Sequence, residues 1–197
     1  MSSERILVHR AVAAEFTAAL QAAAAKMYGS RQVLVQSAAP QRVSALLRAA
    51  EAAGAATLRV AAGSGAEAVP GADTAPKDRN AHDNVIVSGV DTSMDLWYTE
   101  SFGPVVAVTE FSTDEEAVRL ANETEYGLSA AVWTRDIGRG LRLARDIESG
   151  AVHINGATIH DEVSLPHGGV KSSGFGRFNG SYGLDEFLVT KVITFRS

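Results

Sequence analysis

The sequence predicts an α/β fold in which a mostly parallel sheet is flanked by helices. Short apolar runs of strand length alternate along the chain with longer segments whose apolar residues recur every three or four positions. Several of the runs are apolar at consecutive positions, which is typical of parallel strands that helices cover on both faces. With 197 residues, 46% of them hydrophobic and 21% charged, the chain is long enough for one sizeable core.

The first predicted strand is Ile6–Val8, and two predicted helices follow it. In the first helix, apolar residues recur at helical spacing between Val12 and Met27, and the intervening alanines are strong helix formers. The second helix begins at Pro40 and ends at Gly54, because proline suits the first turn of a helix and glycine its C-terminal end.

The middle of the chain combines three predicted strands with one segment of irregular composition. The strands are Thr57–Ala61, Val85–Val87 and Val105–Val108. Residues 63–84 are rich in Gly, Ala, Pro and Asp without a period, which indicates a surface excursion. Thr113-Asp-Glu-Glu116 is a capping box and predicts the start of a helix.

The second half continues the alternation of strands and helices. Leu128–Trp133 and Ala151–Ile154 are predicted strands, and Asp136 and Gly150 mark the two ends of the helix between them. Phe187–Phe195 is a long β-branched run, which predicts a terminal strand. We therefore expect one α/β domain over residues 1–186 and a separate strand over residues 187–197.

Composition excludes several classes of partner and chemistry. The net charge of −5 and the lack of a basic tract argue against a nucleic-acid or anionic-membrane partner. No apolar run reaches the roughly 18 residues of a membrane span, and the N-terminal residues do not resemble a signal peptide. Without cysteine, the chain has no disulfide, no cysteine-ligated zinc and no thiol nucleophile. We expect a cytoplasmic protein.

Two motifs carry a family resemblance. Glu100-Ser-Phe-Gly-Pro104 and the glycine-rich loop Leu165–Gly174 resemble motifs in the C-terminal half of the NAD(P)-dependent aldehyde dehydrogenase superfamily. The runs Gly127–Val132, Gly150–Asn155 and Gly183–Lys191 match three further motifs in the same order. The resemblance implies the α/β catalytic domain of that family and a terminal strand that pairs with a partner subunit.

The segments His153–Glu162 and Gly174–Phe178 are most similar to the branch that oxidises aromatic aldehydes, which includes vanillin, benzaldehyde and salicylaldehyde dehydrogenases. In that branch a cysteine, the nucleophile, precedes residues similar to Met1–Arg5. The resemblance therefore implies a chain that begins just after the nucleophile. It also implies that the cofactor domain and the general-base glutamate are missing.

The resemblance assigns roles to three residues. Glu100 matches the glutamate that hydrogen-bonds the nicotinamide-ribose hydroxyls, Phe102 the aromatic residue beside the nicotinamide ring, and Asn155 a residue near the substrate entrance. Two carboxylate oxygens suit two vicinal hydroxyls. Without the resemblance, the same residues are expected to be a solvated loop acid, a core phenylalanine and a turn asparagine.

Other polar residues are expected to be structural. Gly103 and Pro104 form a turn, and Lys171 positions the glycine-rich loop. His167 stands where most of the family has phenylalanine, so its packing is an open question. A metal site is not expected, because the spacing of the polar residues within His153–Glu162 is not a metal-binding motif.

The resemblance implies NAD(P)-dependent oxidation of an aromatic aldehyde to the acid. Because the nucleophile, the general base and the cofactor domain are missing, we expect this chain alone to be inactive and to bind NAD or NADP weakly. The alternatives are a non-catalytic oligomerisation module or remnant, or one subunit of a split enzyme. We expect a homo-oligomer that forms through Leu188–Phe195, because an apolar strand needs a partner.

Overall fold

A computed structural model describes residues 3–28, 30–60 and 80–196. These residues form two compact units, Ser3–Leu120 and the described part of Ala121–Ser197. The predicted division into residues 1–186 and 187–197 separates a domain from a strand that is expected to pair with another subunit. Compactness within one chain does not test such a division, so it stays a prediction. Among the described residues, no helix has the length and apolar character needed to cross a membrane.

The first unit contains six strands and four α-helices among its described residues, besides a 3₁₀ turn at Arg10–Val12. In chain order they are β1 (Arg5–His9), α1 (Ala13–Met27), β2 (Gln32–Val33), α2 (Ala39–Ala52), β3 (Ala56–Val60), β4 (Ala81–His82), β5 (Asn84–Ser88), α3 (Asp95–Tyr98), β6 (Val105–Phe111) and α4 (Asp114–Asn122). The last two residues of α4 belong to the second unit.

Four strands of the first unit form a sheet in the order β1-β6-β5-β3. β6 is parallel to both of its neighbours, with Ile6 opposite Val108 and Ile86 opposite Val106. β3 runs antiparallel to β5 at one edge. The sheet is therefore mainly parallel, and the predicted α/β class is confirmed.

Helices cover both faces of this sheet. Val85 and Val87 point to the face that packs on Val43 and Leu47 of α2, whereas Ile86 points to the opposite face, where α1 packs. Val85, Ile86 and Val87 are each at most 3% exposed. Consecutive apolar residues are the pattern expected of a strand that is buried on both sides.

Two predicted helix starts are confirmed by their hydrogen bonds. The backbone N–H of Glu116 donates to Thr113 Oγ1 over 3.2 Å, and Glu116 Oε2 accepts from the backbone of Ser112 over 2.8 Å. The glutamate thus reaches one residue beyond the usual position in a capping box. Asp136 Oδ1 accepts from the N–H of Arg139 over 2.9 Å and caps the next helix.

The second unit has smaller sheets. Its elements are β7 (Tyr126–Gly127), β8 (Ser129–Val132), α5 (Ile137–Asp146), β9 (Ala151–Ile154), β10 (Val170–Lys171) and α6 (Gly180–Asp185). β8 and β9 are parallel and joined through α5, and β7 pairs antiparallel with β10.

Two predictions differ from the structure. The irregular segment predicted at residues 63–84 ends earlier, because β4 pairs with β2; residues 63–79 lie outside the described part of the chain. Residues 188–196 carry no secondary structure, so the described part of the terminal strand predicted at 187–197 does not form a strand with the other described residues. A strand needs a partner for its backbone groups, and no described strand pairs with this segment. Its pairing with a second copy stays a prediction.

Candidate functional site

The loop that contains Glu100 and Phe102 connects α3 to β6. It lies at the amino end of the parallel strands, because Pro104 directly precedes β6 and accepts a hydrogen bond from the N–H of Val85, in β5, over 2.9 Å. Glu4, which precedes the neighbouring parallel strand β1, accepts with its backbone carbonyl from Ala107 over 2.9 Å. The fold therefore brings Glu4 to the same edge of the sheet as the loop.

Ser101 anchors this loop and is completely buried. Its hydroxyl donates to Glu4 Oε1 over 3.2 Å, and its backbone N–H donates to Glu4 Oε2 over 3.4 Å. The same hydroxyl oxygen accepts from the N–H of Gly103 over 3.2 Å. One carboxylate therefore engages both donors of the residue between Glu100 and Phe102.

Arg42 of α2 holds the loop from another side. Its Nη2 donates to the backbone carbonyl of Ser101 over 3.1 Å, and its guanidinium carbon lies 5.7 Å from the centre of the Phe102 ring. This is a cation–π distance. Phe102 adopts a left-handed backbone conformation, with φ of 48°, and is 66% exposed. The predicted alternative of a core phenylalanine is therefore wrong, because the surrounding contacts present the ring to solvent.

Gly103 lies against helix α2. A Cβ atom at this position would come within 2.6 Å of Val43 Cγ2 and 3.3 Å of Val43 Cγ1. Val43 is 1% exposed and belongs to the core, so it has little room to move. Gly103 is therefore required for the close packing of the turn on α2.

Two carboxylates of different environment flank Ser101. Glu100 is exposed, and Glu4 is partly buried. Burial raises the pKa of Glu4 above its ordinary value, the hydrogen bonds from Ser101 lower it, and the charge of Glu100 raises it further. Burial dominates, so Glu4 is harder to ionise than a solvated glutamate.

Asn155 lies in the second unit, directly after β9, with φ of 55°. Its Oδ1 accepts from the N–H of Thr134 and its Nδ2 donates to the carbonyl of Thr134, both over 2.9 Å. It therefore joins the end of β9 to the loop after β8, in the manner of a turn asparagine. Asn155 also lines an open depression together with Trp133 and Arg135, so a role at the substrate entrance stays a prediction.

Lys171 organises the loops of the second unit. Its Nζ donates to the carbonyl oxygens of Asn122 and Thr124 over 2.8 and 3.2 Å and forms an ion pair with Glu148 at 2.5 Å. Three oxygens thus surround the ammonium group. This geometry matches the structural role predicted for Lys171.

The glycine-rich loop packs closely on the start of β9. A side chain at Gly150 would collide with the carbonyl oxygen of Gly168, so this approach requires glycine. His167 pairs with Phe178 through two backbone hydrogen bonds of 2.9 Å, and their ring centres are 4.9 Å apart. The imidazole of His167 therefore packs on an aromatic ring.

The polar residues of His153–Glu162 do not gather around one point. His160 Nε2 lies 2.9 Å from Glu162 Oε1, and the rings of His153 and His160 meet edge to face with centres 5.5 Å apart. Among the residues that the structure describes, no group of three or more metal-ligating side chains has the geometry to hold a metal ion.

The structure thus places Glu100 and Phe102 on one anchored loop of the first unit and Asn155 in the second unit. Sequence reasoning missed Glu4, Ser101 and Arg42. Glu4 and Ser101 are 97 positions apart, so no local motif connects them. The one available signal was the small polar residue between Glu100 and Phe102.

Comparisons with known proteins bear on this site. The model of the aldehyde dehydrogenase family matches residues 1–193. Vanillin dehydrogenase from Pseudomonas fluorescens is 39% identical over 205 residues, covering 100% of this chain and 40% of that protein. Salicylaldehyde dehydrogenase from Pseudomonas putida is 45% identical over 109 residues, covering 55% of this chain and 23% of that protein.

Solved structures of similar fold include two dehydrogenases. Salicylaldehyde dehydrogenase from Pseudomonas putida G7, complexed with salicylaldehyde, aligns with a TM-score of 0.77 and 30% identity over 93% of this chain and 37% of that chain. Betaine aldehyde dehydrogenase from Staphylococcus aureus, in complex with NAD⁺, aligns with a TM-score of 0.79 and 32% identity over 95% of this chain and 37% of that chain. This chain thus spans about 40% of the length of the vanillin dehydrogenase that it matches.

Proposed function

The chain belongs to the aldehyde dehydrogenase family, and from that premise we propose that it supplies the nicotinamide-ribose side of a cofactor site. The reaction served by this site is the oxidation of an aromatic aldehyde to the acid with NAD or NADP. Relatives named for vanillin and salicylaldehyde support the substrate class. A neighbour in complex with NAD⁺ supports the cofactor.

The observation that carries this proposal is the anchored loop of Glu100 and Phe102. Both side chains are exposed, while Ser101 between them is buried and held by hydrogen bonds. A carboxylate accepts hydrogen bonds from vicinal ribose hydroxyls, and an aromatic ring offers a flat apolar face to a nicotinamide. The residues therefore fit the nicotinamide end of the cofactor.

The described residues contribute binding and orientation. Glu100 fixes the ribose, Phe102 limits the positions of the ring, and Arg42 and Ser101 hold both on one loop. When bound, the nicotinamide supplies the hydride acceptor. The family's thiolate nucleophile is not supplied by these 197 residues, which include no cysteine. A serine hydroxyl without an activating base is a poor substitute.

We therefore propose that the chain by itself oxidises no aldehyde and binds the cofactor weakly, as one part of a catalytic assembly. Incubation with vanillin or benzaldehyde and NAD or NADP, followed by nicotinamide absorbance, should give the rate of a blank without protein. Turnover above that blank would show that another group of the chain acts as nucleophile.

The binding part of the proposal has a separate test. Amide NMR spectra are recorded during titration with β-nicotinamide mononucleotide. AMP serves as the control ligand, because it has the same ribose phosphate but carries adenine in place of nicotinamide. The nicotinamide compound should shift the amide signals of residues 99–103 more strongly than AMP does, because only it offers a nicotinamide ring to Phe102. Glu100→Gln should weaken the binding about ten-fold, because one acceptor of a charge-assisted pair is lost.

Glu110 provides the control, since it is an exposed glutamate of the same unit, on β6. Glu110→Gln should bind the nicotinamide compound as the parent does. Equal shifts with both nucleotides would refute the nicotinamide contact of Phe102, and unchanged binding in Glu100→Gln would refute the ribose contact.

A homo-oligomer is the second part of the proposal. Residues 188–196 have no partner strand among the described residues, yet Leu188, Val189, Val192, Ile193 and Phe195 are each at least 71% exposed. An apolar segment of this kind favours pairing with another sheet edge. The same observation favours the alternative of a non-catalytic oligomerisation module. We also propose that the protein is located in the cytoplasm.

A further inference from the structure

The carboxylate of Glu4 has no part in the proposed ribose contact, yet it is the centre of the hydrogen bonds under the loop. Its two oxygens accept from the hydroxyl and the backbone N–H of Ser101. Ser101 is completely buried, so neither donor has solvent as a ready alternative. An unsatisfied buried donor costs more than an average hydrogen bond contributes.

The bonds form a short chain from Glu4 to the loop backbone. Because the Ser101 hydroxyl donates to Glu4, its oxygen remains free to accept from the N–H of Gly103. Arg42 holds the carbonyl of Ser101. Every polar group of Ser101 is thus engaged, and the backbone directions on either side of it are fixed.

The geometry points to Glu4 as a positioning residue that holds Glu100 and Phe102 in their outward orientation. It acts through Ser101 and touches neither cofactor nor substrate. This inference rests on the proposed function of Glu100 and Phe102, and it adds a residue that lies 97 positions away from Ser101 in sequence. The left-handed backbone of Phe102 is a conformation that few side chains adopt unless their surroundings impose it.

Amide hydrogen exchange of the full 197-residue chain tests this inference without a ligand. Glu4→Ala should speed the exchange of the Ser101 amide about ten-fold, because this amide loses its acceptor. The Gly103 amide keeps Ser101 Oγ as its acceptor and should respond less. The amide of Val87, in the centre of the sheet, should exchange at the parent rate. Glu4→Gln should restore most of the protection of the Ser101 amide, because its one carbonyl oxygen can accept from that N–H while the Ser101 hydroxyl donates to the carbonyl oxygen of Gly103, 3.4 Å away.

Two further variants keep the test decisive. Glu110→Ala removes an exposed carboxylate from the same unit and should leave exchange in the loop unchanged. Ser101→Ala cuts the chain of bonds at its other end, and it should expose the Gly103 amide even if Glu4→Ala fails to fold. Parent-like protection of Gly103 in Ser101→Ala, or of Ser101 in Glu4→Ala, would overturn the inference. So would faster exchange that extends equally to Val87.

Titration with β-nicotinamide mononucleotide then separates the inference from the proposed function. Glu4→Ala should bind about ten-fold more weakly than the parent, and Glu4→Gln within about two-fold of it. Equal binding by the parent and Glu4→Ala would contradict the inference. If the parent shows no shift in the amide signals of residues 99–103 while loop exchange responds as expected, the ribose site is wrong and the holding of the loop by Glu4 stands.

Discussion

Replacement of Gly103 by alanine should destabilise the first unit through a collision with helix α2. The new Cβ would lie 2.6 Å from Val43 Cγ2 and 3.3 Å from Val43 Cγ1. Because Val43 is 1% exposed, either the turn or the helix must shift. Overpacking of this kind costs about 1–3 kcal/mol, and the lower chain entropy of unfolded alanine offsets roughly 0.4–1 kcal/mol of it. We expect a net loss of about 1–2 kcal/mol in the free energy of unfolding.

A double-mutant cycle isolates this collision. Val43→Ala removes both Cγ atoms and should cost about 1.5–3 kcal/mol by itself. The Cβ atom at position 43 remains, 3.6 Å from the methyl group that Gly103→Ala introduces. This distance is ordinary van der Waals contact. In the Val43→Ala background, Gly103→Ala should therefore be nearly neutral. The coupling energy between the two positions should be about 1–2 kcal/mol.

The assay is urea unfolding followed by tryptophan fluorescence in a Trp133→Phe background. Trp97 is 3% exposed in the core of the first unit, whereas Trp133 is 71% exposed and belongs to the second. The remaining signal thus reports on the unit that contains Gly103. A loss below about 0.5 kcal/mol for Gly103→Ala, or additive effects in the double variant, would refute the packing argument.

Three further predictions follow from other contacts. Burial raises the pKa of Glu4, so its ionisation costs the parent stability as pH rises through the folded-state pKa. In urea unfolding, Glu4→Gln should therefore become more stable relative to the parent as pH rises from 3 to 7. A difference in the free energy of unfolding that stays constant or falls over this range would contradict this. Lys171→Met removes an ammonium donor from two carbonyl oxygens and an ion pair with Glu148. It should destabilise the second unit by about 0.5–1.5 kcal/mol, because water can replace much of what these exposed groups lose. Lys26→Met, on exposed helix surface, should change thermal unfolding little. A variant that lacks residues 187–197 should be more monomeric than the parent in light scattering, and an unchanged oligomer, or a parent that is already monomeric at high concentration, would oppose the proposed contact.

Elements whose residues form a local pattern could be predicted from the sequence. The consecutive apolar residues of β5 predicted a strand that is buried on both faces, and Asp136 predicted the start of α5 by its spacing from the first helical residues. The two-residue strands β2 and β4 were missed, because so few residues show no periodicity.

The anchoring of the candidate site could not be predicted in the same way. The sequence identified Glu100 and Phe102 through a motif, whereas the bond from Ser101 to Glu4 depends on β1 and β6 lying side by side. The terminal residues 188–196 illustrate a second limit. Their β-branched composition favours a strand, but strand formation requires a partner that this chain does not offer among its described residues.

The central claim is that Phe102 and Glu100 contact the nicotinamide end of the cofactor, and intermolecular NOEs with β-nicotinamide mononucleotide test it most directly. The exposed ring of Phe102 should show NOEs to protons of the nicotinamide ring. The Glu100 side chain should show NOEs to ribose protons. NOEs that arise from other parts of the chain, or none to residues 99–104 under saturating ligand, would contradict the account.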